Sequence, residues 1–240
     1  STLSRASAAS DVYKRQLYHM SPDLGLKLVS DPRVGAVAFT GSRAGGLKLK
    51  AAADAVGTPI YLELSSVNPV FVLEHALRER GADLAAELYG SCAMGAGQFC
   101  TSPGLVIVER GESADKFLSE ASQHFGANPG QTLLTESGPG NLAVAVSTLK
   151  ENGAELLVGG AEQDGPGYAF QNTLLKTDGT TFLQNAEALQ TEAFGTTALV
   201  VVADDTNQMQ AITRSLEGNL TGTIYSLSLI HISEPTRPVP

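Results

Sequence analysis

Gly95-Ala96-Gly97-Gln98-Phe99-Cys100-Thr101-Ser102-Pro103-Gly104, residues 95–104, joins an Ala/Gly-rich helical stretch running from Leu77 to about Met94 to the strand-like Leu105-Val106-Ile107-Val108-Glu109. Helix, tight turn and apolar strand in succession form the repeating unit of an α/β sheet. The turn also sets a thiol among small residues, where a substrate carbonyl and backbone N–H groups can approach the sulfur closely. Cys100 is therefore a candidate nucleophile. The alternative is a small buried hydrophobe, the commonest fate of a free cysteine.

The same alternation continues on both sides. Before the turn stand a strand over 34–39, a helix over 47–56 and a strand over 60–64; after it comes a helix over 114–124. Further on, periodicity predicts a helix over 141–151, strands near 154–158, 170–176 and 197–202, a helix near 207–216 and a strand near 221–225. Residues 126–140 and 159–167, dense in Gly, Pro and polar residues, read as loops. Strands alternating with helices predict an α/β fold with a largely parallel sheet.

Two more segments carry chemistry. Val34-Gly35-Ala36-Val37-Ala38-Phe39-Thr40-Gly41-Ser42 is an apolar run closing on Thr-Gly-Ser before a helix. A glycine and a serine at such a junction let backbone and hydroxyl meet a phosphate, and the helix N-terminus favours negative charge there. A plain turn with Ser42 as N-cap is the alternative. In residues 59–66 (PIYLELSS), Ile60, Leu62 and Leu64 alternate against Tyr61 and Glu63, leaving one carboxylate alone on a strand face. Flanked by leucines and buried, Glu63 would have its charged form disfavoured, which suits a general base; the alternative is a glutamate facing solvent. Cys92, on the helix with Leu84 and Leu88, reads as core packing.

Taken in order, FTGS (39–42) before a helix, ELSS (63–66), GQFC (97–100) and Thr191-Glu192-Ala193-Phe194-Gly195 resemble the motifs of the aldehyde dehydrogenase superfamily. The resemblance implies an aldehyde-dehydrogenase-like α/β fold that is incomplete here. Residues 17–64 would be part of a Rossmann-like cofactor-binding domain, and residues 65–226 most of the α/β catalytic domain. It implies Cys100 as the thioester-forming nucleophile, with its own N–H helping to hold the oxyanion, and Glu63 as the base that activates water. Gly41 and Ser42 would contact the pyrophosphate of NAD or NADP, Glu192 the nicotinamide ribose, and Phe194 the nicotinamide; ordinary core is the alternative for Phe194. The common ELGG is replaced by Glu63-Leu64-Ser65-Ser66, which together with GQFCTSPG resembles the branch containing 2-oxoglutarate semialdehyde dehydrogenases and some long-chain aldehyde dehydrogenases. Thr196 stands where proline is common, implying a less rigid loop. The expected substrate is a small-molecule aldehyde, 2,5-dioxopentanoate first and a long-chain aliphatic aldehyde second, in a parent enzyme that is a homo-oligomer. A noncatalytic α/β interaction module is the alternative from another class.

The ends read differently. Residues 11–16 (DVYKRQ) can be encoded as GAT-GTG-TAT-AAG-AGA-CAG and residues 227–232 (LSLIHI) as its reverse complement, CTG-TCT-CTT-ATA-CAC-ATC. Residues 1–16 and 227–240 are therefore read as translated sequencing adaptor and set aside from fold reasoning. The resemblance places an oxyanion-hole asparagine and a cofactor-binding lysine before residue 17, and more catalytic domain after residue 226, so the chain alone is expected to be inactive. A formal net charge of −9 with no basic cluster argues against nucleic acid and anionic membrane as partners, and no apolar run reaches the length of a membrane span. Two cysteines give no disulfide framework, making a reduced cytoplasmic setting the default. His19, His75 and His124 are isolated and His231 falls in the stretch read as adaptor, so no metal is expected.

Overall fold

The computed structural model describes residues 20–164 and 167–227. The segments read as adaptor lie outside these residues, apart from Leu227. After Ser65 the chain divides into two compact units.

The first unit contains α1 (Pro22–Val29), β1 (Val37–Thr40), α2 (Arg43–Val56) and β2 (Ile60–Glu63). β1 and β2 pair in parallel with Thr40 opposite Glu63, so α2 is the crossover helix that parallel pairing requires. Ser42 starts α2, its Oγ accepting the Gly45 N–H at 3.2 Å, and Gly57, left-handed at φ 73°, ends it by returning its N–H to the Ala53 and Asp54 carbonyls. The cap sets the start of this helix, so it begins at Arg43 and not at the expected Leu47. The strand expected from Val34 starts only at Val37. Helix α1 was not anticipated, although Ser21 as N-cap and Pro22 in the first turn are its start signals.

The second unit contains β3 (Val70–Val72), α3 (Glu74–Ala93), β4 (Leu105–Glu109), α4 (Glu112–Ala127), β5 (Gln131–Thr132), α5 (Gly138–Glu151), β6 (Glu155–Val158), β7 (Glu162–Gln163), β8 (Ala169–Phe170), β9 (Thr173–Asp178), α6 (Gly179–Gln184), α7 (Ala186–Leu189), β10 (Thr197–Ala203), α8 (Thr206–Ser215) and β11 (Thr223–Tyr225). Six strands form one sheet in the order β11-β3-β4-β10-β9-β6, parallel throughout except for β6 against β9. Both segments expected as loops contribute a short strand, β5 and β7, to a separate antiparallel sheet with β8. The strand expected over 170–176 is split, Phe170 belonging to β8 while β9 opens at Thr173.

Side chains of β4 and β10 alternate between two cores. Leu105, Ile107, Leu199 and Val201 pack with Leu142, Val146 and Leu149 of α5 and Met209 and Ile212 of α8. Val106, Val108, Ala198 and Val200 pack with Leu84 and Leu88 of α3 and Phe117 and Phe125 of α4. With both faces covered, these strands read as unbroken apolar runs, and each large side chain they bury contributes about 1.5–3 kcal/mol.

Parallel strands gather their entry loops at one end of the sheet. β3, β4 and β10 are neighbours, so the chain at 66–69, 98–104 and 190–196 converges at their amino ends. That convergence places the site.

Candidate active site

Between α3 and β4 the backbone reverses through three consecutive left-handed residues, Gly95 (φ 58°), Ala96 (φ 58°) and Gly97 (φ 71°). Glycine takes this conformation at little cost, whereas Ala96 gives up about 1–2 kcal/mol. Gly97 has a second reason to lack a side chain, since a Cβ there would run into the Gly195 carbonyl. Gln98 ties the reversal down, its Oε1 accepting the Leu134 N–H at 2.8 Å. A turn over 99–102 follows, closed by the Ser102 N–H on the Phe99 carbonyl at 3.0 Å. Cys100 sits on it, exposed.

Asn68 braces this turn from beneath. The residue is 2 % exposed and left-handed at φ 46°, and its Nδ2 donates to the Cys100 carbonyl at 2.9 Å and the Ser102 carbonyl at 2.8 Å. Its Oδ1 accepts from Ser66 Oγ at 2.8 Å and from the Thr221 hydroxyl at 3.2 Å. Asn219 Oδ1 in turn accepts the N–H groups of Val67 and Asn68 at 2.8 and 3.0 Å. Neither Asn68 nor Asn219 carries a local signal, because Asn-Pro reads as a turn and the bonding partners are remote in sequence.

Phe99 and Ser102, flanking Cys100, line one cleft together with Ser66, Glu192 and Phe194. Phe194 is 42 % exposed, so it is not core and its ring is available as a flat apolar surface. Glu192 Oε1 accepts the Ser66 N–H at 3.2 Å, which orients the carboxylate at the cleft. At the position of the expected looser loop, Thr196 is buried, and its carbonyl accepts the Thr173 N–H at 2.8 Å.

Gly41, Ser42 and Glu63 belong to the first unit. Gly41 and Ser42 are exposed at the junction of β1 with α2; the Gly41 N–H donates to the Glu63 carbonyl at 3.1 Å, and the Arg43 N–H donates to Ser65 Oγ at 3.3 Å. Ser42 is thus the N-cap that sequence reading held as the alternative, while its place at the positive end of a 14-residue helix also suits a phosphate. The burial conjectured for Glu63 is not found. Strand alternation puts it on the exposed face shared with Tyr61, away from Leu62.

The two thiols occupy opposite environments. Cys92 is fully buried, its S–H donating to the Pro103 carbonyl at 3.2 Å, and burial pushes its thiol up to about 12. Brief exposure of the folded chain to iodoacetamide is expected to modify Cys100 stoichiometrically and Cys92 not at all, as read by peptide mass mapping. Equal, slow labelling of both would instead favour the noncatalytic module.

An exposed thiol on a braced turn beside a carboxylate-lined cleft, at one end of a parallel sheet, defines a thiol-bearing α/β protein. The chain belongs to the aldehyde dehydrogenase family, whose model matches residues 16–237. It is 37 % identical over 209 residues to alpha-ketoglutaric semialdehyde dehydrogenase 2 of Azospirillum brasilense, covering 84 % of this chain and 38 % of that protein. It is 33 % identical over 206 residues to alpha-ketoglutaric semialdehyde dehydrogenase of Acinetobacter baylyi, covering 85 % and 39 %. The crystal structure of an NAD-dependent aldehyde dehydrogenase from Sinorhizobium meliloti superimposes with a TM-score of 0.68 at 25 % identity, covering 86 % of this chain and 42 % of that one. The chain thus spans about two fifths of the length of the curated relatives it matches.

Proposed function

We propose that this chain is the thiol-bearing part of an NAD(P)-dependent aldehyde dehydrogenase that oxidises 2,5-dioxopentanoate to 2-oxoglutarate. The observation that carries the reading is Cys100 exposed on a turn whose carbonyls Asn68 holds; the two semialdehyde dehydrogenase relatives support the substrate. Each unit, taken by itself, also carries residues that suit a part of a dinucleotide. Gly41 and Ser42 lie at a helix N-terminus fit for phosphate, Glu192 is a carboxylate fit for ribose hydroxyls, and Phe194 is an exposed ring fit to stack on nicotinamide.

In the proposed reaction the Cys100 thiolate attacks the aldehyde carbon, forming a C–S bond and a tetrahedral oxyanion that the Cys100 N–H helps to stabilise. NAD(P)+ supplies the hydride acceptor when bound. Loss of hydride leaves a thioester on Cys100. Glu63 takes a proton from water, the resulting nucleophile breaks the C–S bond, and the carboxylic acid and the thiol are released.

In an enzyme that contains this chain, kcat/KM for 2,5-dioxopentanoate is expected to exceed that for hexanal by about tenfold or more, because a site built for a carboxylate gains charge-assisted hydrogen bonds the uncharged aldehyde cannot make. Initial rates with 2,5-dioxopentanoate, hexanal and a longer aliphatic aldehyde test this. A preference that rises with chain length assigns the enzyme to long-chain aliphatic aldehydes.

A further inference from the structure

We propose that Asn68 is a positioning residue for Cys100: its carboxamide fixes the peptide plane leaving Cys100 and the far end of the nucleophile turn, and so keeps in place the turn that aims the thiol and the Cys100 N–H together. The inference deepens the reading of Cys100 as nucleophile and rests on it.

The geometry is specific. Every peptide bond of the described chain is trans, and in a trans peptide the N–H points opposite to the C=O. The Phe99 carbonyl is held inside the turn by the Ser102 N–H at 3.0 Å, which turns the Cys100 N–H outward. The Cys100 carbonyl is held by Asn68 Nδ2 at 2.9 Å, which turns the Thr101 N–H away from Asn68. Both planes bordering the Cys100 Cα are therefore set, and with them the directions open to Sγ. A second bond from the same nitrogen, to the Ser102 carbonyl at 2.8 Å, fixes the far end of the turn.

The brace is itself immobilised. Asn68 Oδ1 is engaged by Ser66 Oγ and Thr221, and a flip of the amide would set Oδ1 against the Cys100 and Ser102 carbonyls and Nδ2 against the Thr221 N–H. Its left-handed backbone is a conformation that asparagine tolerates better than most residues. Buried donors satisfied on both sides in a low-dielectric setting give a stiff support.

The test separates aiming from mere folding by comparing two probes on the 240-residue chain. Iodoacetamide alkylates the thiolate by displacing iodide and builds no oxyanion. p-Nitrophenyl acetate acylates it through a tetrahedral oxyanion, with a C–S bond formed, the ester C–O bond broken and p-nitrophenolate leaving with the electron pair. Asn68→Gly removes the carboxamide while accepting the positive φ, and Asn68→Asp keeps the acceptor but loses the donor. In both variants the ratio of acylation to alkylation at Cys100 is expected to fall about tenfold, with alkylation within about twofold of the parent chain. Circular dichroism and thermal unfolding establish that each variant is folded, and either folded variant suffices. An unchanged ratio overturns the proposal, whether both rates persist or both fall together, as does a parent chain that alkylates at Cys100 without acylating. Neither probe involves NAD(P)+ or an aldehyde, so failure of the dehydrogenase reading would leave this result intact, and the reverse holds equally.

Discussion

Replacing Cys100 with alanine in an enzyme that carries this chain is expected to lower aldehyde oxidation by about 10⁴-fold or more, the scale on which removing a covalent nucleophile acts. The loss should be chemical. Cys100 is exposed, and the hydrogen bonds that brace its turn use its carbonyl, so the sulfur can be removed without disturbing them. An unchanged unfolding midpoint should therefore accompany the loss. Steady-state production of NAD(P)H by parent and variant is the measurement, and comparable turnover in the variant would remove Cys100 from the chemistry.

Glu63→Gln is expected to act on the second half-reaction alone. Glutamine keeps the shape of the side chain but cannot take a proton from water, so hydride transfer should survive while deacylation slows by about 10²–10⁴-fold. The expected trace is a burst of NAD(P)H equal to the enzyme concentration, followed by very slow turnover. Glu63 ends an exposed strand face, so the substitution should leave packing undisturbed. Steady-state turnover equal to that of the parent removes Glu63 from the mechanism.

How much of this was legible in the sequence depended on how local each signal was. β4 was found to the residue, since Leu105 to Val108 are apolar on both faces and bounded by Gly104 and Arg110. β3 was missed because Val70–Val72 is too short to show a period. β6 runs antiparallel to β9 and β7 antiparallel to β8, directions that apolar patterning does not encode.

The site divides in the same way. Cys100 and the glycines of its turn declare themselves over ten residues, as does Ser42 at the head of α2. Asn68 does not, because its amide works on carbonyls 32 and 34 positions away. The hold of Glu192 on the Ser66 N–H spans 126 positions and was equally invisible. The alternation of PIYLELSS does place Glu63 on the face of Tyr61, but that face is exposed, since neighbouring leucines on a strand point to the opposite side and shield nothing.

In the proposed reaction Cys100 carries the acyl group. The most direct test is to acid-quench the Glu63→Gln enzyme during its burst with 2,5-dioxopentanoate and NAD(P)+, then locate the acyl adduct by peptide mass mapping. A thioester on the peptide containing Cys100, in an amount equal to the burst, is the expected result. A burst with no adduct on Cys100, or with the adduct on another residue, would contradict it.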